Sequence, residues 1–470
     1  MEAILRPTHR NLILILGASA FILFKIPEIG LPYFWDEMAG YMSGVIYMQD
    51  HGISLLPSSV PPELSYGHPL LLHVVLACIS KVFGTSVEVM HFSMLIFTIV
   101  LAFGVFFLVN TITQKETTGI IAFFLFLIQP IVVAQSTQVV LEVFLAMHVV
   151  YALYFYLRGK YFVSMLFAVF AVLTKETGLV LAIALLTDTF YRSFTDKDKV
   201  LTTQKFLLFA MPLLVFSAFL LLTKLSFGWF LNPTNVGKTH LSLQSMIQKT
   251  WDYTLEFSLI DQGRWMATLI LLLFLGFYLK SNGLNKSHLK SKNSVLVIYV
   301  LGFAAFSSVA DTLVRYFLNL IPFVVILFSI ALYYFLNRWP LAGITAFLLV
   351  ISSAMLNMNN GKIHSDSDMS FKDMVKTNQA VMDFVNSGRF VDDSIGFAFP
   401  LKLAPADTRY GYYTQRYFNA DTSFSSTVPY RVYCSPGNLD WNPPDSNRYQ
   451  MLNEFKIGTS KSAIYKLKTN

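Results

Sequence analysis

Asp36 and Glu37 stand side by side in "LPYFWDEMAGYMSG", residues 31–44, behind three consecutive aromatics, Tyr33, Phe34 and Trp35. Other ionisable residues border apolar runs in the same way: Glu142 in "AQSTQVVLEVF", Lys175 and Glu176 in "LTKETG", Arg315 in "DTLVRYFLNLIP" and His68 in "YGHPLL". A carboxylate can take the proton from a hydroxyl as it attacks. Cations can stabilise the charge that builds on a phosphate leaving group. Both are needed together where the donor is a lipid phosphate.

Each residue also has a plain structural reading. An acid near a helix N-terminus, as Glu142 would be, gains from the helix dipole. Lys175 could snorkel to the headgroups and Arg315 could hold a lipid phosphate. His68 precedes Pro69, a residue suited to the first turn of a helix. The aromatics beside Asp36 fit a membrane-interface belt. Convergence on one side of the membrane favours the chemical reading, because ionisable groups at membrane depth are costly and usually functional. Gln135, Gln138 and Glu142 are spaced three and four apart, which predicts one shared helix face.

The elements that must position these groups are set by composition. Apolar residues make up 54% of the 470 and charged residues 13%, half the charge of an ordinary soluble domain, which carries about 25%. Mean hydropathy is +0.54. A bilayer span needs roughly 20 apolar residues, and such runs recur along the first three quarters of the chain. The first, from Asn11 to Pro27 behind Arg6 and Arg10, reads as an uncleaved anchor rather than a signal peptide. Further spans are expected near 87–109, 118–136, 139–157, 161–175, 177–191, 205–224, 264–280, 293–311, 313–336 and 339–357. The expected fold is an all-α polytopic membrane domain of about eleven helices, with a small C-terminal α/β domain outside the cytoplasm. The net charge of +7 is then a matter of topology, not of nucleic acid, and no nucleic-acid partner is expected. Cys78 and Cys434 form neither a disulfide framework nor a metal cluster.

One segment decides the topology. "GHPLLLHVVLACISKVFG", residues 67–84, is apolar enough to span. If it did, the basic loops around Arg158–Lys160, Arg192–Lys205 and Lys280–Lys292 would face outward, against the positive-inside rule. It is therefore expected to lie at the outer interface. The N-terminus is then cytoplasmic and residues 1–357 form the membrane domain, with a long first outer loop over 30–86. A second outer loop, about 225–262, is amphipathic in "LSLQSMIQKTWDYTLEF" and suited to rest on the membrane surface. From Met358 onward Asp, Ser, Asn and Gly replace the apolar runs, and 358–470 reads as an extracytoplasmic soluble domain. Within it "FKDMVKTNQAVMDFVNSG" has helical periodicity, and "SIGFAFPL" and "KSAIYKLK" read as strands.

In this order, "FWDE" after the first span, "YGHPLL", "VVLEVF", "LTKETG" and "RYFLNLIP" resemble the C-type membrane glycosyltransferases, over about residues 1–340. The pattern is most similar to relatives of the protein O-mannosyltransferases and the lipid A aminoarabinose transferases. The resemblance implies a polyprenyl-phosphate sugar donor, an acceptor that is a glycan, lipid or protein, and reaction on the outer face of a cell membrane, here a bacterial inner membrane. It implies Asp36 as the catalytic base with Glu37 beside it, Glu142 as the second acid, and Lys175 and Arg315 at the donor phosphate. His68 would join them, although Leu70 stands where relatives often have a second proline. No cofactor is required. A divalent cation is compatible with the paired acids, but a phosphate held by Lys and Arg does not need one. A transporter or flippase of a lipid-linked saccharide is the alternative, yet transporters tend to carry internal repeats and midplane sites. The chain shows no repeat, and its polar residues gather at one edge. A non-catalytic scaffold of a glycan assembly complex is the third reading.

Overall fold

The computed structural model describes residues 7–193, 199–237, 242–282, 293–309, 312–359, 366–391, 393–421, 428–435, 439 and 442–468. The apolar runs are helices. Among the described residues, Pro7–Ile29, Val87–Thr113, Thr203–Phe227 and Ile321–Arg338 are each long and apolar enough to cross a membrane. A bent pair, Leu243–Ile260 and Arg264–Lys280, meets at 88° and adds a fifth candidate. Shorter apolar helices, among them Glu116–Leu127, Leu141–Leu157, Tyr161–Thr174, Ser294–Val309 and Pro340–Leu356, pack around them. The chain is a multi-pass membrane protein with a mostly helical membrane domain and a small C-terminal sheet, as its composition indicated.

Two predicted spans are broken where the backbone demands it. The run expected over 118–136 stops at Leu127, and a short helix, Pro130–Gln135, restarts at the proline. Gln129 is extended (φ −65°, ψ 129°), the conformation a residue before proline prefers. The run expected over 313–336 opens instead with a 3₁₀ turn, Val314–Asn319, and becomes α-helical only at Ile321, with Pro322 in the first turn. These two breaks put Gln135 at the end of a short helix and Arg315 on a 3₁₀ turn. Gln135, Gln138 and Glu142 consequently share no helix: Gln138 and Val139 lie in the connection before the Leu141–Leu157 helix.

The 67–84 segment forms the Leu71–Phe83 helix, 13 residues long and shorter than a span. Before it, residues 37–64 wind through a π-type turn, Glu37–Met42, the helix Ser43–His51 and two 3₁₀ turns.

The C-terminal part is a helix, Phe371–Val385, on a five-stranded sheet. Its strands are β1 (Ser394–Phe397), β2 (Asn419–Asp421), β3 (Tyr430–Ser435), β4 (Tyr449–Ile457) and β5 (Ser460–Leu467), in the order β2-β1-β3-β5-β4. β1 runs parallel to β2 and β3, while β5 is antiparallel to β3 and β4. Alternation along β3 turns Val432 and Cys434 toward the helix, where Ser462, paired with Cys434, bonds Asn378 at 2.8 Å. Arg431 and Tyr433 take the opposite face. Both cysteines are free, Cys78 exposed and Cys434 buried.

This part is seated on the segment that carries the acid pair. Tyr33 N donates to Tyr410 O at 3.1 Å, and the Tyr412 hydroxyl donates to Tyr33 O at 3.0 Å. Phe34 packs on Phe371 and Trp35 on Phe399, with ring centroids 6.0 and 4.8 Å apart. Tyr33, Phe34 and Phe371 are buried, and full burial of a phenylalanine side chain stabilises by about 1.5–3 kcal/mol. The buried Lys25 adds polar ties: it pairs with Glu28, donates to Val133 O at 2.9 Å, and Glu28 in turn meets Lys372 at 3.1 Å.

Candidate active site

Asp36 is aimed by a strained turn. Trp35 adopts a left-handed backbone (φ 47°), at a cost of about 1–3 kcal/mol for a non-glycine residue. That reversal separates the buried aromatics from the π-type turn that follows, a feature frequent at functional sites. Gly40 lies in this turn, and a Cβ there would come within 2.0 Å of the Tyr66 ring. The missing side chain admits Tyr66, whose hydroxyl donates to Asp36 Oδ1 at 3.0 Å. Burial, and then the charge of Asp36, raise the Tyr66 phenol above its ordinary range, so it remains a donor.

Arg315 supplies the second contact. Its Nη2 donates to Asp36 Oδ2 and its Nη1 to Asp366 Oδ2, while its Nε stands 3.7 Å from Glu142 Oε1. Glu142 occupies the first turn of the Leu141–Leu157 helix, where the dipole favours an anion. It is fully buried, and Lys175 Nζ donates to its Oε1 at 2.8 Å. Lys175 ends the Tyr161–Thr174 helix, and its ammonium lies 3.4 Å from the centroid of the Tyr316 ring. The chain reverses there through Glu176–Gly178. A Cβ at Gly178 would meet the Ala171 carbonyl oxygen at 2.4 Å, so only glycine lets the reversal close.

Asp36, Glu142, Lys175 and Arg315 thus form one cluster, although they come from four separate segments. Among the described residues, three carboxylates, counting Asp366, face two cations. Asp366 is mostly buried, and burial raises its carboxyl above the usual carboxylate range against the pull of Arg315.

Glu37 and His68 stand apart from this cluster. Glu37 accepts from Phe34 N at 2.8 Å, Val139 N at 2.7 Å and His91 Nε2 at 3.0 Å. Its carboxylate is spent on tying the acid turn to the connection before the Glu142 helix. His68 Nδ1 pairs with Glu176 Oε2 at 2.8 Å, fastening the Tyr66 loop beside Lys175. Among the described contacts, neither pairs with Asp36, Glu142, Lys175 or Arg315.

Sequence reasoning missed Asp366, Tyr66 and Tyr316. Asp366 lies in the polar stretch "HSDSDMS", where nothing marks one acid from its neighbours. Tyr66 and Tyr316 lie inside the motifs "YGHPLL" and "RYFLNLIP" and were legible only as neighbours of the residues singled out. Among the described residues, no group of three or more His, Cys, Asp or Glu side chains is arranged to hold a metal ion. Arg315 takes the central position among the three carboxylates.

Residues 67–222 match the family model described as dolichyl-phosphate-mannose-protein mannosyltransferase. In fold the chain is similar to ArnT from Cupriavidus metallidurans, solved bound to undecaprenyl phosphate and in the apo state. Identity to it is 12% and the TM-score 0.58, over 96% of this chain and 97% of that one. It is also similar to the Archaeoglobus fulgidus oligosaccharyltransferase AglB, solved with an inhibitory peptide and a dolichol-phosphate. There identity is 11% and the TM-score 0.53, over 90% of this chain and 69% of that one. No curated protein is similar enough in sequence to match. The resemblance drawn from the order of five short motifs is borne out.

Proposed function

We propose that this chain, which carries the C-type membrane glycosyltransferase fold, moves one sugar from a polyprenyl-phosphate carrier to an acceptor hydroxyl on the outer face of the membrane, with inversion. The observation that carries the reading is the shared guanidinium. Arg315 touches Asp36 and approaches Glu142, which in turn holds Lys175. A base and two phosphate-binding cations are therefore within one cluster.

In this reading Asp36 accepts the proton of the acceptor hydroxyl. Tyr66 and Arg315 occupy one lone-pair site on each of its oxygens, and a carboxylate offers about four. The acceptor oxygen attacks the anomeric carbon, the bond from that carbon to the phosphate oxygen breaks, and its electrons leave with the polyprenyl phosphate. Arg315 and Lys175 neutralise the growing phosphate charge. Glu142 keeps Lys175 oriented and Glu37 fixes the acid turn. The outer-face assignment is supported by the basic residues of the loops on the opposite side.

The test is a transfer assay with purified protein and a radiolabelled polyprenyl-phosphate sugar. Release of polyprenyl phosphate that depends on Asp36, Lys175 and Arg315 supports the reading. Transport of the intact lipid-linked sugar across a proteoliposome membrane without release would replace it by a flippase.

A further inference from the structure

The C-terminal domain carries a cleft of about 480 Å³, within the range of about 300–1,000 Å³ usual for small-molecule sites. It opens on the sheet face away from the Phe371–Val385 helix, where Arg431 and Tyr433 project from β3. Phe399 forms one wall, just past the end of β1, and Tyr449 another. Arg431 is 9% exposed, with its guanidinium 5.0 Å from the Tyr449 ring centroid and its Nη1 3.4 Å from the Tyr433 hydroxyl. Lys402 and Arg448 add two exposed cations at the rim, and among the described lining residues Asp445 is the acid beside these two and Arg431.

The position of the cleft matters as much as its charge. Phe399 packs edge-on against Trp35, which directly precedes Asp36. The Tyr33–Tyr410 and Tyr412–Tyr33 hydrogen bonds hold this part of the domain against the acid turn. A molecule in the cleft would be seated one aromatic pair away from the general base.

We propose that the cleft binds the acceptor, and that the acceptor is an acidic saccharide, a glycan bearing phosphate or carboxylate groups. This rests on the glycosyltransferase reading of the Asp36 cluster. The exposed Phe399 ring suits the C–H surface of a sugar, with the buried Tyr433 and Tyr449 behind it, and the three cations suit an anionic substituent. A peptide extended along a strand would need a free sheet edge. The cleft instead lies mainly over β1 and β3, interior strands of the sheet, and meets the edge strand β4 at its first residue, Tyr449, alone among the described lining residues.

The full chain in nanodiscs decides this by calorimetric titration with tetragalacturonate, maltotetraose 6-phosphate, neutral maltotetraose and tetraglutamate. At least one acidic saccharide should bind about tenfold or more tighter than neutral maltotetraose, since charge-assisted contacts distinguish the two. The tighter of the two identifies carboxylate or phosphate as the anion. Arg431→Gln and Arg448→Gln should each lower that affinity by about tenfold while leaving polyprenyl-phosphate binding unchanged. Should the buried Arg431→Gln variant not fold, Arg448→Gln at the exposed rim carries the test. Equal binding of neutral maltotetraose, acid binding indifferent to both substitutions, or tetraglutamate binding as tightly as the saccharides would each overturn the proposal. Acidic-saccharide binding by a protein that fails to bind polyprenyl phosphate would instead overturn the donor reading and leave the cleft assignment standing.

Discussion

Asp366→Asn should tighten binding of the lipid donor. In the structure the proposed phosphate ligands are already engaged by carboxylates, Lys175 by Glu142 and Arg315 by Asp36 and Asp366. An incoming phosphate must take one of these places. Asp366 has no part in the proposed chemistry, and among the described residues its negative charge is the one by which the cluster's carboxylates outnumber its cations. It is the natural contact to surrender. A hydrogen bond that involves a charged group is worth about 1.5–3 kcal/mol, and a neutral one about 0.5–1.5. Asparagine keeps a contact to the still-charged guanidinium but gives up the ion pair, so displacing it costs up to about 1–1.5 kcal/mol less. That difference corresponds to a roughly five- to tenfold gain in affinity, and removal of the like charge beside the phosphate acts in the same direction. The assay is titration of polyprenyl phosphate into wild-type, Asp366→Asn and Asp366→Glu proteins in nanodiscs. Asp366→Glu keeps the charge and should show no gain. Weaker binding by Asp366→Asn would refute the reasoning and make Asp366 a residue that positions Arg315 for the phosphate.

Asp36→Asn should lower transfer by about 10² to 10⁴-fold with donor binding and membrane insertion retained, as measured by single-turnover transfer and by titration. Lys175→Gln and Arg315→Gln should each weaken donor affinity by about ten- to more than a hundredfold. Lys175→Arg should not restore it, because a planar fork does not replace a point charge seated over the Tyr316 ring; wild-type-like titrations of both Gln variants would return these residues to a structural role. Glu37→Gln should cost about 1–3 kcal/mol of stability, read as a lower unfolding temperature in detergent, since one of its three donors would then face an amide NH₂. In a Cys78→Ser background, a cysteine within residues 284–292 should resist an impermeant thiol reagent in intact cells, and one at position 456 should react. The opposite pattern would reverse the membrane orientation.

The sequence by itself determined the class of protein. Long apolar runs leave a chain no choice but helices in lipid, where backbone groups find no water, and the last long apolar helix, Pro340–Leu356, ends just before the composition changes at Met358. The same physics made the candidate residues visible, because Glu142, Lys175 and Arg315 are conspicuous against apolar neighbours. Tertiary structure decided which of them lie together. Asp36 and Glu37 are adjacent and chemically alike, yet one meets Arg315 and the other is consumed by Phe34 N, Val139 N and His91. Nothing in their spacing separates them, since the difference lies in what packs against each side of a single turn. Asp366 was illegible for the complementary reason. It lies 51 positions from Arg315, in a polar stretch where acids are unremarkable, and it acquires meaning only because docking of the C-terminal domain carries it to a guanidinium. Long-range ion pairs of this kind arise from how helices and domains are seated, which local periodicity does not encode.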